Sequence, residues 1–282
     1  MPILAELLGD LESEQASLDA VVATRDVAGW AKPTPAAGWD VRDSISHLCF
    51  FDEAATLAIK DPAAFDAARA ALLGRAAPLG PPAAGGPPAA GDPATGPATP
   101  DVALGRGFED PAGLLSRWRG ARAALLAAAA RAAAAPEPAR VGWYGPSMSL
   151  ASFVTARIME TWAHGVDVRD ALGSPLEATG RLRHVCHLGV GARAYAFAAH
   201  GIPDPGDPIR VEATAPDGTV WSWGPAGAAN RVTGTALELA LVVTQRRHRS
   251  RTAVTATGPV AEQWLGIAQA FAGPGTVTDP RR

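Results

Sequence analysis

Leu4, Leu7, Leu8, Leu11, Leu18, Val21 and Val22 recur mainly at helical spacing, so residues 3–24 are predicted as an amphipathic helix. AKPTPAAGW (31–39) breaks it. A second helix follows, with Asp40 suited to cap its start, Asp43 to sit in its first turn, and Asp61-Pro62 to stop it. Asp110-Pro111 opens a third helix running to about Ala135, with Leu114, Leu115, Trp118, Leu125 and Leu126 as its apolar stripe. A fourth runs from about Ser149 to Leu172 and is closed by Gly173 and Pro175. Between the second and third lies 75–107, dominated by Pro and Gly with no recurring large apolar residue. It reads as a loop or surface excursion, either a lid or a plain insertion. Four helices with this excursion make residues 1–174 a helix bundle.

The pattern then changes. Residues 178–200 read as helical. PIRVEATAPDGTVWSWG alternates around a PDG turn and is predicted as a hairpin, with Trp221 and Trp223 on one face as core. NRVTG is a short strand, TALELALVVTQRRH a helix, RTAVTATG a strand and PVAEQWLGIAQAFAG a final helix. Residues 175–282 therefore form a smaller α+β domain, and the overall fold class is α+β.

With 282 residues, 48% hydrophobic and 19% charged, the chain reads as globular. A net charge of −3 gives no basic footprint, which argues against nucleic acid as a partner. There is no leader-like segment and no charge-free apolar run long enough to span a membrane, so a cytoplasmic protein is expected. Cys49 and Cys186 make no disulfide framework. Composition leaves monomer and homodimer equally open.

Within this apolar pattern a few polar groups stand at stripe depth. His47 lies among Ile45, Leu48, Phe50 and Phe51; Glu160 and His164 lie among Phe153, Ile158, Trp162 and Val166. Glu160, His164 and Asp167 are spaced to share one helix face. A carboxylate buried in such surroundings is costly unless a cation balances it. Two imidazoles and one carboxylate make three protein ligands, the number typical of a catalytic zinc site with an open fourth position. Each residue taken singly also fits a hydrogen-bonded core histidine or a solvated glutamate. The same donor set describes a non-haem iron site. The absence of HExxH excludes a zincin.

GWDVRDSISHLCFFD (38–52) resembles the first metal-ligand segment of the mycothiol-dependent maleylpyruvate isomerase family, part of the DinB-like helix-bundle superfamily. METWAHGVDVRDALG (159–173) resembles its second segment, with the Glu-x-x-x-His pair and the following Asp. TQRRHR and GPVAEQWLGIAQAFAGPG are similar to the C-terminal region of a two-domain, metal-binding actinobacterial subgroup. The resemblance implies a DinB-like four-helix bundle holding a divalent metal, most often zinc with nickel or iron as alternatives, through His47, Glu160 and His164. It implies mycothiol or a similar thiol as cosubstrate and a small electrophile as substrate. The C-terminal domain would complete the pocket, with Arg246 the match to an arginine that grips an anionic substrate. In the family that arginine follows Gly; here Gln245 takes its place. The implied activity is S-transfer or isomerisation. A zinc-dependent hydrolase or lyase without thiol, and a metal-binding protein without turnover, remain as alternatives.

Asp167 is expected either to orient the His164 imidazole, a catalytic supporting role, or to pair with Arg169. Asp52 is expected to face solvent. Trp39 is expected to act as a hydrophobic staple at the helix start rather than as a pocket wall. Tyr144 and Ser147 could reach the pocket mouth. His184 and His187 have no third ligand nearby, and Cys49 reads as core.

Overall fold

The computed structural model describes residues 2–76, 110–136 and 140–271. All four predicted N-terminal helices are present. They are α1 (Pro2–Val22), α3 (Val41–Lys60), α5 (Pro111–Ala133) and α6 (Leu150–Leu172). Two helices were not foreseen: the single turn α2 (Val27–Trp30) and α4 (Pro62–Ala76). Pro62, read as a stop, instead begins α4, where a proline's missing N–H costs nothing. The Pro/Gly-rich 75–107 segment lies outside the described residues from 77 onward.

Local chemistry sets the helix ends. Asp40 and Asp43 form a reciprocal capping box at the start of α3: Asp43 N–H donates to Asp40 at 2.8 Å and Asp40 N–H to Asp43 at 3.0 Å. Asp110 accepts from the N–H groups of Ala112 and Gly113, with Pro111 in the first helical position of α5. Short strands β1 (Arg140–Val141) and β2 (Met148–Ser149) pair antiparallel ahead of α6.

The C-terminal elements are α7 (Leu182–Gly191), α8 (Arg193–Ala199), β3 (Ile209–Thr214), β4 (Val220–Trp223), β5 (Asn230–Thr235), α9 (Ala236–Val243), β6 (Thr255–Thr257) and α10 (Pro259–Ile267). The sheet order is β4-β3-β5-β6. The β3–β4 hairpin and the β5–β6 pair are antiparallel, while β3 and β5 run parallel in register from Ile209↔Asn230 to Thr214↔Thr235. Helix α9 stops at Val243, earlier than TALELALVVTQRRH suggests. Gln245 adopts φ 57°, Arg246 N–H reaches back to Leu241 O and Gln245 N–H to Val242 O. Those two bonds define a Schellman stop with glutamine where glycine is usual.

Contacts group the chain into two units. One comprises 19–150 and 170–172. Its core is built by α3, α4 and α5, with Ile45, Leu48, Phe65, Leu114, Trp118 and Leu125 all fully buried. The other comprises 2–18, 151–169 and 173–282. Its core gathers Trp162 and Val166 of α6, Val185 of α7, Val211 and Val232 of the sheet, and Leu239 and Trp264. Gly189 lets α7 lie directly on α9, since a Cβ there would come within 2.5 Å of Val243. Trp221 and Trp223, expected as core, are only half-buried and pack against its edge.

Candidate metal centre

Helix α3 carries His47, which is only 8% exposed. Its ring sits 5.2 Å from Trp39 and 4.6 Å from Phe51. The expected staple is not formed: the fourth helical position is Ser44, not an apolar residue, and Trp39 packs on the imidazole instead. Phe51 continues into a cluster with Trp143 and Tyr144, and Trp143 stacks on Phe65 at 5.6 Å. Tyr144 thus joins the aromatic cluster that includes a ring beside His47. Ser147 binds Arg140 and is exposed.

One turn apart on α6, Glu160 and His164 approach to 3.7 Å. His164 is buried, while 28% of the Glu160 side chain remains exposed. Desolvation raises the Glu160 pKa, and the guanidinium groups of Arg157 and Arg246 pull against it. Arg157, buried three residues before Glu160, went unnoticed in the sequence. Its spacing on the same helix face was the available signal.

His47, Glu160 and His164 each offer one ligand atom, and these atoms lie within 4.8 Å of one another. Among the described residues they form the one His/Cys/Asp/Glu group of three close enough for a shared metal ion. The donor set of two imidazoles and a carboxylate fits a divalent cation of the zinc or iron type. A cation also offsets the cost of an ionised Glu160 in this setting.

Asp167 is almost fully buried. Its Oδ2 lies 3.7 Å from His164 Nδ1, beyond a direct hydrogen bond, and accepts from Arg246 Nη2 at 2.8 Å. Arg169 reaches Ser17 and the carbonyl of Gly165 instead of Asp167. Arg246 also donates to Thr244 O, which fixes it at the foot of the Schellman stop. Arg247 donates to Arg246 O.

Asp52 is a correction: it is fully buried and accepts from Trp118 Nε1 at 3.2 Å. Cys49 is core as expected, its thiol pushed up to about 12 by burial. His184 pairs with Asp10 at 2.7 Å, and His187 accepts from Trp223 Nε1.

A family model described as the mycothiol maleylpyruvate isomerase N-terminal domain matches residues 11–169. A second, described as wyosine base formation, matches residues 205–257. Two uncharacterized proteins of Mycobacterium tuberculosis, from strains CDC 1551 / Oshkosh and ATCC 25618 / H37Rv, are each 45% identical over 269 residues, covering 95% of either chain. Crystal structures of the mycothiol-dependent maleylpyruvate isomerase and of a histidine-to-alanine mutant of it superpose with a TM-score of 0.55 at 16% identity. Each covers 90% of this chain and 92% of the other. The shared fold is α+β with a DinB-like N-terminal helix bundle and a smaller C-terminal α+β part. The match over residues 11–169 spans more than half the sequence and carries every helix that bears a candidate ligand, and the chain belongs to the mycothiol maleylpyruvate isomerase family.

Proposed function

We propose that the chain is a metal-dependent enzyme that uses a low-molecular-weight thiol of the mycothiol type for S-transfer to, or isomerisation of, a small electrophile. The observation that carries this reading is the approach of the His47, Glu160 and His164 ligand atoms to within 4.8 Å. Three protein ligands leave a coordination position for a reactant. A divalent cation held there, most simply zinc, supplies a Lewis acid that stabilises a thiol as its thiolate at neutral pH.

The chain's own residues do the rest. His47 and His164 present imidazole nitrogens from buried rings, so their orientation is fixed before any ligand arrives. Trp39 and Phe51 flank His47 and keep bulk water from its ring. Arg246, held by Asp167, brings positive charge near Glu160 and keeps guanidinium N–H groups for an anionic part of the substrate. Membership of a thiol-dependent isomerase family supports the choice of thiol over water as reactant.

The test is metal content by plasma mass spectrometry on the purified chain beside Glu160→Ala, followed by turnover of a model electrophile with and without added thiol. About one zinc per chain, lost in the variant, with turnover only when thiol is present, is the expected result. Zinc-dependent turnover without thiol would replace the transferase with a hydrolase. Equal metal in parent and variant would remove the site.

A further inference from the structure

The His164 imidazole stands between two carboxylates of its own helix. Its Nε2 lies 3.7 Å from Glu160 Oε2, and its Nδ1 lies 3.7 Å from Asp167 Oδ2. The ring therefore turns Nε2, not Nδ1, toward any cation shared with Glu160. An imidazole that gives Nε2 to a cation carries its proton on Nδ1. That N–H is a buried donor, and buried donors are almost always satisfied. Asp167 faces it with a side chain that is 3% exposed. Its Oδ2 has to move by only about 1 Å to reach an ordinary N–H···O distance.

The same oxygen is already engaged. Oδ2 accepts from Arg246 Nη2 at 2.8 Å, while Arg246 Nη1 donates to Thr244 O at 2.9 Å. The tether to Thr244 keeps the guanidinium from following the carboxylate toward His164. Two donors thus draw on one oxygen, and a bond to one weakens the bond to the other.

We propose that Asp167 is a positioning residue shared by the metal ligand and the arginine: its Oδ2 takes the Nδ1–H of His164 in the metal-loaded chain and loosens its hold on Arg246 in doing so. This rests on the metal-centre reading above and adds a link between its two halves. Arg246 weakens metal binding by the same factor by which a bound cation loosens Arg246. Loading the centre therefore releases guanidinium N–H groups for an anionic part of the substrate.

The test is the zinc affinity of the full chain, by competition with a chromophoric chelator, for the parent, Asp167→Asn, Asp167→Ala, Arg246→Ala and the double alanine variant. A thermal melt in excess chelator first establishes that each is folded. Loss of an outer partner of a metal-bound histidine costs about 10- to 100-fold in metal affinity, so Asp167→Ala should bind zinc at least about tenfold more weakly. Asp167→Asn keeps an acceptor oxygen and should recover most of that loss. Arg246→Ala should tighten zinc binding about fivefold in the parent and leave it unchanged in Asp167→Ala. Nitrogen–proton spectra give a readout that plain destabilisation would not move: zinc-loaded Asp167→Ala should lose one exchange-protected imidazole N–H that the parent and Asp167→Asn keep.

Equal zinc affinity in the parent and Asp167→Ala, or the same gain from removing Arg246 in both backgrounds, would overturn the proposal while the metal centre stands. Should Asp167→Ala not fold, unchanged or weaker zinc binding by Arg246→Ala overturns it alone. A parent that binds no zinc would remove the metal centre itself, and this proposal with it.

Discussion

The pairing of Asp167 with Arg246 ties the ligand helix α6 to the segment after α9, and it can be weighed by substitution. The carboxylate is 3% exposed, the guanidinium side chain 15%, and the donor–acceptor distance is 2.8 Å. Truncating one partner of a buried pair strands the other charge and costs about 3–5 kcal/mol. Arg246 retains its bond to Thr244 O and some solvent, so Asp167→Ala belongs at the lower end, about 3 kcal/mol. At roughly 2 °C per kcal/mol for a chain this long, the melting temperature should fall by about 6 °C. Arg246→Ala alone should cost less, because a lone carboxylate can protonate or rehydrate more readily than a guanidinium can lose its charge.

The decisive comparison is the double variant. With both groups gone no stranded charge remains, so the loss should fall short of the sum of the single losses by about 2 kcal/mol. Urea unfolding of all four proteins in excess chelator reads this coupling without any contribution from bound metal. Losses that add to within about 0.5 kcal/mol would refute the argument, showing that the 2.8 Å pair does not hold Arg246 in solution.

Two further outcomes follow from the same structure. Gln245 occupies a left-handed position at φ 57° and donates to Ala268 O at 3.2 Å. Gln245→Gly should therefore stay within about 1 kcal/mol of the parent, strain relief offsetting the lost bond, whereas Gln245→Val should lose about 1–3 kcal/mol. Equal losses in urea would show that the backbone does not matter there. Asp19 bonds Arg119 and Arg122, and chiefly the Arg119 hydrogen bond, against the opposing effect of burial, lowers its pKa below the usual 3.8. A depressed carboxyl stabilises the fold above its unfolded pKa and loses that contribution as pH falls through the folded one. The parent should thus lose stability on acidification below about pH 4 more steeply than Asp19→Asn, as read by thermal melts across that range. Parallel pH profiles would contradict the assignment.

What could be read from the sequence divides by the distance to a residue's partner. Asp40 with Asp43, Asp110 with Pro111, and Glu160 with His164 act within one helical turn, so spacing alone placed them. The β3–β4 hairpin was equally local, signalled by its turn and alternation. Asp52 was misread because its partner, Trp118, lies 66 residues away on another helix. No window along the chain shows that a carboxylate five residues past His47 faces an indole rather than water. The end of α9 was misread for a different reason. Glutamine carries no left-handed signal of its own, and the following RRH run favours a continued helix, so only the back-bonds from Arg246 and Gln245 reveal the stop. That stop is also what turns Arg246 toward Asp167. The arginine identified through family likeness is thus held by an aspartate that belongs to the family pattern and by a turn that does not, with a glutamine in a glycine's conformation.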